Sequence, residues 1–159
     1  MVMTAGRAAL VHEPAVRAAL GEVADPEIPT ISIVDMGLVE RVSVTSDGIS
    51  VELLPTFVGC PALDAIRQAV EARLATFGVP VDVAFTFSVP WTTERITAHG
   101  RDRLRQSGFA PPTADLSDVP CPYCASMDVR MSSAFGPTQC RALFYCRSCR
   151  QPFEAFKPV

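Results

Sequence analysis

The chain is poor in histidine: His12 and His99 are the only two among its 159 residues. Neither lies near Cys60 in sequence, so a Cys–His nucleophilic pair has little support. No glycine-rich phosphate loop and no G-x-S-x-G elbow occurs. Without an acid–base pair or a cofactor fingerprint, a stand-alone enzyme is the least favoured class. Long apolar runs are also missing, none approaching the roughly 18 to 20 residues that span a bilayer. The opening MVMTAGRAALVHEPAV lacks an apolar core followed by a small-residue cleavage site, the mark of a signal peptide. The expectation is a cytoplasmic protein with no membrane contact. No internal repeat or low-complexity tract breaks the chain.

A hydrophobic fraction of 48% with 19% charged residues belongs to a folded chain. Its length allows one ordinary domain, or a domain of about 100 residues plus a small module that needs extra stabilisation. Net charge is −3, which gives no global push toward nucleic acid. That charge is uneven. From Cys121 onward Arg130, Arg141, Arg147, Arg150 and Lys157 face only Asp128 and Glu154, net +3, which leaves −6 for the rest. Two regions of opposite sign fit two modules.

Val16, Ala19, Leu20 and Val23 recur at helical spacing behind Pro14, predicting a first helix over Glu13 to Val23. The prolines and glycine of DPEIPTISIVDMG argue against a helix there. Val42, Val44, Ile49, Val51 and Leu53 then alternate with polar positions around Ser46, Asp47 and Gly48, a hairpin signal. Leu63, Ile66, Val70, Leu74 and Phe77 predict an amphipathic helix closed by Gly78 and Pro80. Val79, Val81, Val83, Phe85 and Phe87 predict a third strand, and the threonines of WTTERITAHGRDRLRQSG a capped helix ending at Gly108. The expected fold class is α+β, a small sheet with its helices on one face, followed by a four-cysteine module. The expected boundaries are 10–108 for the α+β domain, 109–120 for a proline-rich linker and 121–159 for the cysteine-rich module.

Six cysteines in a reducing compartment point to metal ligation or thiol chemistry before disulfides. Cys121 with Cys124 and Cys146 with Cys149 form two C-x-x-C pairs separated by 21 residues, near the zinc-ribbon range. Each pair can form a knuckle whose backbone N–H groups point at sulfur, and two knuckles supply four thiolates in a tetrahedron. Such a set suits structural Zn²⁺, although four thiolates also hold a single iron or part of an iron–sulfur cluster. A module of about 40 residues has too little core to fold unaided, so the metal would supply much of its stability. The arginines here are few and scattered, which favours a solvated surface over a nucleic-acid face. Cys140 belongs to neither pair and reads as a structural cysteine.

Cys60 stands apart, between Gly59 and Pro61 where a strand gives way to a helix. Pro61 suits a first helical position, which places Cys60 at or near the N-cap, where the helix N-terminus favours a thiolate. A reactive or metal-binding thiol and a small buried cysteine in a cap both fit that position. Asp25, Glu27 and Asp35 flank a proline-rich loop, where turn formation and capping compete with metal ligation.

DPEIPTISIVDMGLVERV, PTFVGCPA, VPWTTERIT and GFAPP, in this order, resemble the small domain of the SufT-like iron–sulfur assembly factors. With the four-cysteine module appended, residues 14–159 resemble the PaaD family found in phenylacetyl-CoA epoxidase systems. The resemblance implies an accessory, non-catalytic subunit in aerobic phenylacetate degradation, other subunits carrying the oxygenase and the iron–sulfur reductase. It implies maturation or delivery of a cluster or of iron to those partners, with Cys60, Asp25 and Glu27 in the transfer site and zinc in the ribbon. One thiolate cannot hold a cluster firmly, so a partner or a second copy of the chain, as in a homodimer, must complete a transient site. Family members commonly carry tyrosine and serine where this chain has Phe57 and Val58. Three functions therefore compete: a maturation factor, a structural or docking subunit with a purely structural zinc, and a nucleic-acid-binding ribbon protein, against which the negative net charge argues.

Overall fold

The computed structural model describes residues 11–57 and 59–159. The first ten residues, on which most of the leader reading and the expected domain start fall, lie outside the described residues, as does Val58. Packing divides the chain into two compact units, the first ending at Trp91 and the second covering Thr92–Val159. No described helix is long and apolar enough to cross a membrane.

The first unit opens with helix α1 (Glu13–Leu20), whose first turn holds Pro14 and which buries Val16, Ala19 and Leu20. Val23 is buried too, but outside the helix: its carbonyl accepts from Ile33 N at 2.9 Å, beside an antiparallel bridge between Ala24 and Ser32. Strands β1 (Val39–Thr45) and β2 (Gly48–Leu53) form the antiparallel hairpin that the Asp-Gly signal predicts. Gly48 has φ +142° and a Cβ there would collide with the Pro80 carbonyl oxygen. The same oxygen accepts from Ile49 N at 2.9 Å, so this close approach guides the chain into β3 (Val81–Phe85). Helix α2 (Ala62–Leu74) connects β2 to β3, which pair in parallel, giving the order β1-β2-β3. It buries Ala62, Ile66, Val70 and Leu74, a stripe one turn apart along one face. β3 ends at Phe85, and Phe87 beyond it is 69% exposed, so the alternation read through Phe87 overruns the strand.

The second unit starts with helix α3 (Ala98–Gln106), capped by Thr97 Oγ1, which accepts from Gly100 N at 2.9 Å. Strands β4 (Phe109–Ala110), β5 (Val129–Ser133), β6 (Arg141–Cys146) and β7 (Pro152–Phe156) form a sheet of order β4-β7-β6-β5. The segment 109–120, read as a linker, carries β4, which pairs in parallel with β7. Ala110 and Val119 from that segment are buried with Ala142, Phe144, Phe153 and Ala155 in one core, and Leu116 packs against it. The ribbon thus recruits apolar groups from upstream of its first cysteine, and α3 belongs to this unit and not to the first. Fold class is α+β with two small sheets and three helices, the four-cysteine cluster lying in the second unit.

Candidate metal centre and thiol turn

The two C-x-x-C pairs are built alike. Cys121 N donates to Ser126 O at 3.0 Å and Cys146 N to Gln151 O at 2.9 Å, each bond joining a first cysteine to the residue five positions on. The residue after each second cysteine takes positive φ, Ala125 at 60° and Arg150 at 62°. That left-handed step turns the backbone N–H groups inward. Tyr123 and Cys124 donate to the Cys121 sulfur, and Ser148 and Cys149 to the Cys146 sulfur. Ser126 and Ser148 join the knuckles through hydroxyls 2.7 Å apart, and Arg147 N donates to Asp128 O at 2.9 Å.

All four sulfurs lie within 4.8 Å of one another, with Cys121 to Cys149 and Cys124 to Cys146 at 3.6 Å. A tetrahedral zinc with Zn–S bonds of about 2.3 Å needs sulfurs about 3.8 Å apart. The donor set, the N–H groups aimed at sulfur and the spacing all fit Zn²⁺, and none of these cysteines is disulfide-bonded. Four protein ligands leave no open position, the arrangement of a structural site. The Cys149 N–H lowers the Cys146 thiol to about 7. Burial raises Cys121 and pushes Cys149 up to about 12. The thiols thus differ in readiness to release the protons that metal binding displaces.

Cys140 lies outside this group, its sulfur 3.1 Å from Thr138 Oγ1. Arg141, counted from sequence among the scattered surface cations, is buried: it pairs with Glu154 at 2.9 Å and lies over the Phe109 ring. The buried arginine, the inter-knuckle serines and the left-handed steps had no motif to announce them.

Cys60 is half-buried in the turn between β2 and α2. Pro61 itself occupies the N-cap of α2, one residue earlier in the helix than expected, and Cys60 precedes it. Gly59, at φ +81°, has open space where a Cβ would be, so the turn is uncrowded beside the thiol. Leu54 N donates to Leu38 O, Thr86 N to Leu53 O and Trp91 Nε1 to Met36 O, each at 2.8 Å. These bonds bring the start of β1 and the ends of β2 and β3 to one end of the sheet. Segments 21–38, 54–61 and 86–91 therefore depart from that end together.

Asp25 is buried, and its Oδ1 accepts from Glu27 N at 2.8 Å and Ile28 N at 2.9 Å. Ser32 Oγ donates to Asp35 Oδ2 at 3.0 Å and accepts from Asp35 N at 3.0 Å. Both carboxylates shape the loop. Among the described residues, Cys60, Asp25 and Glu27 do not form a second convergent ligand group.

Two family descriptions match separate parts of the chain: "Iron-sulfur cluster assembly protein" over residues 13–85 and "PaaD zinc beta ribbon domain" over residues 109–157. The chain is 39% identical over 156 residues to the 1,2-phenylacetyl-CoA epoxidase subunit PaaD of Escherichia coli (strain K12), covering 94% of this chain and 93% of that protein. The chain belongs to the PaaD family of 1,2-phenylacetyl-CoA epoxidase subunits. The ribbon match begins at residue 109, so the PaaD ribbon includes β4. The first unit is also similar to the Fe-S protein maturation auxiliary factor SufT of Staphylococcus aureus (strain USA300), 34% identical over 85 residues, 52% of this chain and 96% of that one. Its fold is similar to the crystal structure of a DUF59 domain from Bacillus anthracis, with TM-score 0.54 and 29% identity over 58% of this chain and 90% of that chain.

Proposed function

We propose that this PaaD-family chain is an accessory, non-catalytic component of a phenylacetyl-CoA epoxidase system that delivers an iron–sulfur cluster, or iron, to another subunit. The observation that carries the reading is a division of labour among thiols. Four are committed to a closed ribbon, while Cys60 stands alone and half-buried at an open turn of a unit that matches an iron–sulfur assembly family. A soft thiolate is a natural ligand for iron in a cluster. A single one holds its cargo weakly, so the recipient or a second copy of the chain completes the ligand set, and weak shared ligation favours hand-over. Asp25 serves by position, bracing the loop that carries Glu27. Zinc in the ribbon is structural: it fixes the two knuckles and stabilises a sheet too small to stand on its apolar core alone.

The reductase subunit, as the iron–sulfur member of the system, is the expected recipient. Co-expression of Cys60→Ser with the other epoxidase subunits should leave their amounts unchanged while their iron and sulfide content falls. Full iron and sulfide in those subunits would contradict delivery through Cys60. The alternative, a docking subunit with purely structural zinc, draws on the apolar side chains exposed along the ribbon.

A further inference from the structure

We propose that the β5 edge of the ribbon is a docking surface for an acidic, apolar-centred segment of another epoxidase subunit. The inference rests on the reading of the chain as an accessory subunit and names the face through which it attaches. β5 is the outermost strand of its sheet, so one side of its backbone has no neighbouring strand. Three large apolar side chains are exposed along and beside it: Met127 (57%), Met131 (49%) and Phe135 (82%). Met131 pairs across the sheet with Phe144, which is buried and stacked on Phe153, so the exposed thioether continues the apolar face of the core to the edge of the sheet. Continuous apolar surface at an open strand edge marks a contact site, and flexible methionines suit a face that must fit a partner.

The charge pattern selects the occupant. Within the ribbon Arg147 pairs with Asp128 and Arg141 with Glu154. Among the described residues Arg130 and Lys157 have no carboxylate partner, and each lies over an aromatic ring instead, Arg130 over Tyr145 and Lys157 over Phe135, both at 5.3 Å. Arg130 and Met131 are successive strand residues and point to opposite faces. A segment alongside β5 therefore meets an apolar group on one face and a cation on the other. Alternating acidic and apolar side chains satisfy both. A nucleic acid would gain from the cations but would leave Met127, Met131 and Phe135 against a polar backbone.

The test is co-purification of tagged full-length chain with the co-expressed epoxidase subunits, comparing wild type with Met131→Ser/Phe135→Ser, Arg130→Glu/Lys157→Glu and Cys60→Ser. The substituted side chains other than Cys60 sit on the ribbon, so about one zinc per chain reports that each ribbon is folded. Both ribbon variants should keep their zinc and bind the other subunits about 10- to 30-fold more weakly, while Cys60→Ser binds like wild type. Wild-type binding should weaken with added salt. Undiminished binding by either ribbon variant overturns the docking face or its acidic partner, with the accessory-subunit reading intact. Absence of wild-type binding overturns both. Self-association of the purified chain that is lost in the ribbon variants assigns the face to a second copy and overturns the proposal.

Discussion

Asp25 shows at the scale of one residue how a motif aspartate can be chiefly architectural. Its Oδ1 takes two backbone N–H groups inside a buried loop. Asp25→Ala leaves both donors without their acceptor and should cost about 1–3 kcal/mol, read as a lower urea midpoint with an unchanged slope. Asp25→Asn keeps an acceptor oxygen at the same place and should lose less. Cys60 sits in an uncrowded turn beside Gly59, so Cys60→Ser should leave stability in urea within about 0.5 kcal/mol of wild type. The two substitutions separate loop architecture from thiol chemistry. Sequence alone could place Asp25 in a turn through Asp-Pro, but its two acceptor bonds depend on the return of the chain through Ile31, whose carbonyl accepts from Asp25 N at 2.9 Å.

Elements whose signals are local were legible, and those that depend on distant pairing were not. The stripe of α2 and the Asp-Gly turn of β1 and β2 are written within about 15 residues, and the cysteine pairs carry their spacing with them. β4 has two residues, too few to alternate, and lies in a proline-rich stretch, so only its pairing with β7 reveals it. The α2 stripe also gives a quantitative expectation. Leu74→Ala empties a fully buried site and should cost about 2–5 kcal/mol, measured by denaturant unfolding of the first unit. In the ribbon the sign of pH dependence follows from the thiols. Zinc binding requires thiolates, so protons compete with metal and affinity falls as pH falls. Cys149, pushed up to about 12, and Cys121, also raised, surrender protons to the metal throughout the neutral range. Cys146, lowered to about 7, adds its own proton only below that point. Chelator competition should therefore show zinc affinity falling with acid, with a steeper slope below about pH 7.

The whole molecule joins an acidic first unit to a basic second one, and the division at Trp91 assigns α3 to the ribbon side. If the ribbon depends on its metal, chelation should erase hydrogen-exchange protection in β5, β6 and β7 while β1, β2 and β3 keep theirs. Equal loss in both sheets would mean that the units do not stand separately. The composition of the chain announced two modules through its charge asymmetry, whereas the boundary itself was hidden because the ribbon core borrows Ala110, Leu116 and Val119 from before the first knuckle. The functional division follows the structural one, with a resident metal in one unit and a passing cargo in the other. Metal and sulfide analysis of the anaerobically purified chain, wild type beside Cys60→Ser, tests that division most directly. The account predicts about one zinc per chain in both proteins, with iron and sulfide in the wild type alone; zinc alone in both, or iron and sulfide undiminished in Cys60→Ser, would contradict a cluster held at Cys60.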